Sequence, residues 1–234
     1  MAYQTVFKRY ELKYMLTLAQ KERCLQVMAP YMELDKYGRS EINNLYYDTD
    51  TYRLIRRSIE KPIYKEKLRI RSYGTATPDC TVFVELKKKY KHVVYKRRIS
   101  LAEQEAMLWT RERNHTADTQ ISAEIDYFLD YYESLHPAVF LSYEREAYFS
   151  RDGSDFRVTF DDTILARTTD LSLCVPAYGE PILKEGYVLM ELKCSGGIPL
   201  WMAHFLSGER IYKTSYSKYG TAYQTMIAPR AVLL

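Results

Sequence analysis

The sequence predicts an α+β fold of about eight antiparallel strands, with helices inserted between groups of them. Three observations predict it. Hydrophobic residues make up 47% of the 234 residues, enough for one sizeable core. Apolar and charged residues alternate with a period of two in widely separated stretches, which is the period of a strand. Turn and cap residues divide these stretches from runs with helical spacing.

Phe7 to Met15 reads as the first strand. Thr17 with Gln20 makes a capping box for a helix through about Met28, and Pro30 ends it. Ile42 to Asp48 is the second strand. Thr49 and Asp50 form a turn before a short helix near Tyr52 to Ile59, and Pro62 marks a break after it. Tyr64 to Tyr73, Thr81 to Tyr90 and His92 to Leu101 then read as an antiparallel meander. Ala102 to Trp109 is helical in pattern, Arg111 to Gln120 is a polar loop, and Ile121 to Leu135 is an amphipathic helix. Sheet returns in Ala138 to Ser150, Phe156 to Ala166 and Tyr187 to Cys194. Leu200 to Leu206 and Ser217 to Met226 close the chain as helices. No repeat, low-complexity tract or linker interrupts it, so residues 1–234 are expected to form a single domain.

The charges inside these strands carry the functional reading. Residues i and i+2 of a strand share a face. Glu11 therefore lies beside Lys13, Arg69 beside Arg71, Glu85 beside Lys87, Lys96 beside Arg98 and Glu191 beside Lys193. Arg145, Arg157 and Asp161 join them by the same parity. An ordinary exposed sheet face alternates in this way too. Against that, arginine recurs where Thr, Ser or Gln would serve, and Glu precedes Lys by two residues in three separate strands. Converging faces would build a wet, basic tunnel dotted with carboxylates. Like charges held a few ångströms apart are unfavourable without water or a counterion. A phosphate chain supplies closely spaced anionic oxygens, which arginine meets with two prongs and lysine as a movable point charge. Hard divalent cations take carboxylate and phosphate oxygens together.

Several classes of function are disfavoured. A formal net charge of +4 does not mark the chain as a nucleic-acid binder, and its aromatics are not obviously exposed beside the basic pairs. Cys24, Cys80, Cys174 and Cys194 lack the spacing of a zinc site. There is no G-K-[ST] phosphate loop and no G-x-S-x-G elbow. Met1 to Tyr10 has no signal-peptide core, and no stretch approaches the ~20 apolar residues of a membrane span. The expectation is a cytoplasmic chain, with a membrane-protein partner and the oligomeric state left open.

Nine short segments, in order along nearly the whole chain, resemble the VTC domain, the polyphosphate polymerase domain of the triphosphate tunnel metalloenzyme (CYTH-like) superfamily. They are Arg9-Tyr10-Glu11-Leu12-Lys13-Tyr14, Leu45-Tyr46-Tyr47-Asp48-Thr49, Leu68-Arg69-Ile70-Arg71-Ser72-Tyr73-Gly74, Val84-Glu85-Leu86-Lys87, Tyr95-Lys96-Arg97-Arg98, Tyr143-Glu144-Arg145, Arg157-Val158-Thr159-Phe160-Asp161, Met190-Glu191-Leu192-Lys193 and Tyr216-Ser217-Lys218-Tyr219. The resemblance implies an eight-stranded antiparallel closed tunnel barrel with flanking helices. It implies phosphate-binding roles for Lys13, Arg69, Arg71, Lys87, Lys96, Arg98, Arg145, Arg157 and Lys218, and a metal role for Glu191.

With parity added, the candidate catalytic cations are Lys13, Arg69, Arg71, Lys87, Lys96 and Arg145. Further phosphate contacts are Arg98, Arg157, Lys193 and Lys218. The candidate ligands of a divalent Mn²⁺ or Mg²⁺ are Glu191, Glu11 and Glu85. Arg9 stands where hydrolytic relatives carry the first of two glutamates, which favours the VTC branch. Ser215 stands where the eukaryotic polymerase pattern can carry a second lysine. The expected reaction is transfer of the ATP γ-phosphoryl group to polyphosphate with release of ADP. The alternatives are a triphosphatase or nucleotide phosphohydrolase, and a polyphosphate sensor without catalysis.

Overall fold

Thr17 decides where the first strand becomes a helix. Its hydroxyl accepts from Gln20 N at 3.2 Å, while Gln20 Oε1 accepts from Thr17 N at 3.0 Å, the reciprocal capping box read from the sequence. The computed structural model describes residues 10–91, 93–115 and 118–231. Its strands are β1 (Tyr10–Thr17), β2 (Met32–Asp48), β3 (Tyr64–Tyr73), β4 (Thr81–Tyr90), β5 (Val93–Ala102), β6 (His136–Ser150), β7 (Arg157–Arg167), β8 (Glu180–Pro181), β9 (Tyr187–Cys194) and β10 (Lys213–Thr214). Its helices are α1 (Leu18–Met28), α2 (Arg53–Ile59), α3 (Glu103–Glu112), α4 (Gln120–Tyr131), α5 (Leu200–Gly208), α6 (Lys218–Ala222) and α7 (Ala228–Ala231), with a π-helical turn, Tyr223–Ile227, joining the last two. Arg9 and His92, used in the sequence reading, lie outside the described residues.

All ten strands belong to one antiparallel sheet, in the order β10-β1-β9-β7-β6-β2-β3-β4-β5, with β8 on β7. The expectation of an eight-stranded closed barrel needs correcting on both points. Eight long strands are present, but β8 and β10 add two-residue ladders. The sheet is also open. The outer edge of β1 is taken by β10, with Lys13 opposite Thr214 and Tyr14 opposite Lys213, so β5 cannot pair there. Side chains reach across instead: Lys87 Nζ of β4 donates to Glu11 Oε2 of β1 at 3.2 Å.

Helices cover the apolar side of this sheet. Leu68, Ile70, Val84 and Leu86 pack with Trp109 of α3 and with Ile125, Phe128 and Leu129 of α4. Tyr14, Leu16, Val158, Phe160, Met190 and Leu192 pack with Cys24 and Met28 of α1 and Met202 and Phe205 of α5. Each such fully buried large side chain contributes about 1.5–3 kcal/mol. This burial sets strand register, because a slip of one residue would turn every charge into the core. The alternate positions of β1, β3, β4, β5, β7 and β9 are thereby committed to the other face.

Two elements depart from the pattern. β2 begins at Met32, ten residues before the expected Ile42. Its first part is mostly exposed and polar, and its register slips between Leu34 and Arg39, around Gly38 at φ +59. Pairing with β6, rather than apolar alternation, makes this part a strand. The expected helix Ser217 to Met226 is broken by the π-helical turn at Tyr223. Asp48, at the end of β2, ties the helices together. Its carboxylate accepts from Leu54 N at 2.8 Å and Ile55 N at 3.0 Å in α2, and from Tyr219 Oη at 2.8 Å in α6. That anchor seats the start of α6, and with it Lys218.

Candidate functional site

The first group of site residues is built by four consecutive strands of the sheet, β2 to β5. Register places Tyr46 opposite Arg69, Arg69 opposite Glu85 and Glu85 opposite Arg98. The Glu85 carboxylate is 1% exposed and has four cations around it. Arg69 donates to Oε2 through Nε at 2.9 Å and Nη2 at 2.7 Å, and through Nη1 to Tyr46 Oη at 2.8 Å. Arg71 Nε lies 4.0 Å from Oε2 and donates to Asn44 Oδ1 at 3.0 Å. Lys96 Nζ and Arg98 Nε stand 2.6 and 3.1 Å from Oε1. These last two are close in distance, yet Glu85 Oε1 and Arg98 Nε have no aligned hydrogen bond. Burial opposes the charge of Glu85, but Arg69, Arg71 and Lys96 outweigh it and hold the carboxyl well below its usual range. Burial lowers Lys96 to about 8 in spite of Glu85.

The second group comes from β1, β6, β7, β9 and α6. Glu191 faces Lys13 on one side and Thr159 on the other. Four cations surround it at longer range: Lys13 and Lys193 at 3.3 Å, Arg145 at 3.6 Å and Lys218 at 3.8 Å. Asp161 is held tightly. Arg145 makes a two-pronged contact at 2.5 and 2.7 Å, and Lys218 Nζ donates at 2.5 Å. Burial opposes ionisation of both acids, and the surrounding cations outweigh it and lower both. Burial likewise opposes the charge of Lys13, and Glu191 and Glu11 outweigh it and raise its pKa. Glu11 is lowered to about 2, chiefly by Lys87.

Two contacts join the groups: Lys87 to Glu11, and Arg71 to Tyr143, whose ring also faces Arg145 and Lys218. The structure thus brings Lys13, Arg69, Arg71, Lys87, Lys96, Arg98, Arg145, Lys193 and Lys218 into one connected array with Glu11, Glu85, Glu191 and Asp161. Arg157 borders that array. It is in register with Lys193 at the start of β7, and its guanidinium lies 4.5 Å from the Phe149 ring centre.

Sequence reasoning passed over Lys67, Tyr143 and Asn44. Lys67 shares the parity of Arg69 and Arg71 and lies opposite Lys87, which itself faces Lys96. Its Nζ donates to Ser217 Oγ at 3.5 Å. Burial lowers its pKa to about 7, with Lys65, Lys13, Lys87 and Arg69 adding to the effect. Parity alone was enough to find Lys67. Tyr143 and Asn44 look apolar or neutral in a strand, and only the fold aims them at arginines.

Two carboxylates of the second group offer oxygens of the kind a hard divalent cation takes. Glu11 and Glu191 lie on adjoining strands and share Lys13, at 3.7 and 3.3 Å. The neighbouring Thr159 Oγ1 is buried without a hydrogen-bond partner. Among the described residues no three His, Cys, Asp or Glu side chains gather as a metal cluster. Two carboxylates suit a cation that takes its remaining ligands from phosphate. Glu85 is enclosed in its own group of cations, away from this pair.

A family model for the VTC domain matches residues 8–227. No curated protein matches the chain. Among solved structures, a candidate adenylate cyclase of Bacillus halodurans is similar, with a TM-score of 0.57 and 15% identity over 96% of this chain and 100% of that one. A candidate adenylyl cyclase of Hippeastrum, which has a dominant triphosphatase activity, is similar with a TM-score of 0.55 and 14% identity, over 92% of this chain and 94% of its own. At such identities these likenesses concern the fold. Among the described residues no helix is long and apolar enough to cross a membrane.

Proposed function

The chain belongs to the VTC domain family, and from that premise we propose that it is a phosphoryl-transfer enzyme that elongates polyphosphate from ATP. One observation carries the proposal: among the described residues, one sheet face and the start of α6 join nine cations to four carboxylates. A linear chain of phosphates is the anion whose charge spacing suits such an array. Phosphoryl transfer needs positioning and charge neutralisation more than it needs a protein nucleophile. Arg69, Arg71, Lys96 and Arg98 grip one stretch of phosphate oxygens, and Lys13, Arg145, Lys193 and Lys218 grip another. Lys87 stands between them. Glu85 and Asp161 hold the guanidinium groups in place before the substrate arrives, so little reorganisation is required in the transition state.

Glu11 and Glu191 are the residues that would hold Mg²⁺ or Mn²⁺, which when bound supplies Lewis-acid stabilisation of phosphate charge. The lysines on Glu191 are held at 3.3 Å or more, so they can turn toward phosphate when a cation takes the carboxylate. Incubation with ATP and Mn²⁺ or Mg²⁺, followed by separate assays of ADP, free phosphate and long-chain polyphosphate, tests the reading. ADP with matching polyphosphate is the expected result. Free phosphate in its place would make the protein a hydrolase, and binding without any product would make it a sensor.

A further inference from the structure

Among the described residues, Tyr143 is the phenol that touches cations of both groups. It lies on β6, is 4% exposed, and its ring faces inward between β3 and α6. Arg71 Nη2, from β3, donates to its Oη at 3.3 Å. The Lys218 ammonium, from α6, lies 4.3 Å from the ring centre, and the Arg145 guanidinium, on its own strand, lies 5.1 Å away. The acid facing Tyr143 is Asp161 of β7, which is already bound by Arg145 and Lys218. The β2 residue opposite it is the neutral Ile42. Arg71 therefore reaches this oxygen, while two further cations, both shared with one committed carboxylate, face its ring.

Resting on the anion-binding reading above, we infer that Tyr143 is a proton-linked member of that site. In alkaline solution its phenolate balances the cations of the empty site, and its oxygen then takes one proton from solvent when a chain binds. The reprotonated hydroxyl then donates to a phosphate oxygen rather than repelling it. The charge balance supports this. Burial raises a phenol, but Arg71, Arg145 and Lys218 outweigh burial here and bring Tyr143 down from 10 to about 8. A bound polyanion cancels those same cations and returns the pKa upward. Below about pH 8 the phenol keeps its proton and binding involves none. Above it, binding must first restore the proton, so affinity falls as pH rises.

The test reads phenolate directly by its near-ultraviolet absorbance between about pH 7 and pH 9, a window below the ordinary tyrosine range. Wild-type protein is expected to gain one phenolate with a midpoint near 8, to lose it on addition of inorganic triphosphate, and Tyr143→Phe to show neither change. Calorimetry with metal-free triphosphate gives the second readout. Wild type should bind about tenfold more weakly at pH 9 than at pH 7 relative to Tyr143→Phe, the factor that a one-unit excess over the pKa imposes. Absence of phenolate below pH 9, or phenolate that triphosphate leaves unchanged while binding, overturns this inference alone. Absence of triphosphate binding at pH 7 overturns the anion-site reading as well.

Discussion

Glu85 and Glu191 each sit among four cations, but with different tightness. Glu85 receives two hydrogen bonds from Arg69 at 2.7 and 2.9 Å, on a carboxylate that is 1% exposed. Glu191 has as many cations, none nearer than 3.3 Å, and two of the nearest are lysines. A planar guanidinium locked on a carboxylate is a fixed part of the wall. An ammonium on a four-carbon stem can change partners. The β3–β5 side therefore resembles a preformed clamp, and the β1–β9 side a place where charge can be exchanged. Positioning and exchange are the two tasks phosphoryl transfer sets.

The strongest way to break this contrast is to remove each carboxylate in turn. Glu85→Gln leaves three buried or half-buried arginines and the exposed Lys96 without their shared anion. A loss of about 3–5 kcal/mol in unfolding free energy is expected, the usual cost of orphaning one side of a buried pair. Denaturant unfolding reads it. Glu191→Gln should cost clearly less stability because its contacts are long. Equal losses would show the two groups to be equivalent.

Turnover sharpens the comparison from the other side. Glu191→Gln is expected to lower metal-dependent turnover at least about 100-fold, or about 2.7 kcal/mol. Metal-free triphosphate binding should survive or tighten, since one negative charge is gone. Full turnover would move the metal-ligand role to Glu11, the other carboxylate on Lys13.

Lys67→Met is expected to weaken triphosphate binding about tenfold at about pH 6, where the ammonium is charged, and hardly at all at about pH 9, where its amine is neutral. Isothermal titration at both values checks it, and a pH-independent loss would show that Lys67 acts through packing alone. The smallest effect belongs to acid. Glu11 contributes stability present above its unfolded pKa, near 4.5, and lost as pH falls through its folded value of about 2. Glu11→Gln should therefore lower thermal stability at neutral pH, flatten its fall between those values and leave stability below about pH 2 nearly unchanged.

Much of this architecture was legible in the chain. Tyr64–Tyr73, Thr81–Tyr90 and Tyr187–Cys194 have the boundaries the alternation predicts, because strands buried on one face carry a strong period of two. The first half of β2 was not, because Met32 to Glu41 is held by pairing with β6 and not by its own apolar pattern. Parity also placed the charged pairs on common faces.

Sequence alone determined which residues share a face of each strand, since that follows from backbone geometry within a single strand. Only the tertiary structure decided which faces meet. It put β10 on the edge of β1 and left the sheet open. It gave Asp161, rather than Glu191, the tight grip of Arg145, and set Tyr143 against Arg71. Those outcomes depend on distances between residues far apart in the chain, and Coulomb and hydrogen-bond energies vary steeply with such distances.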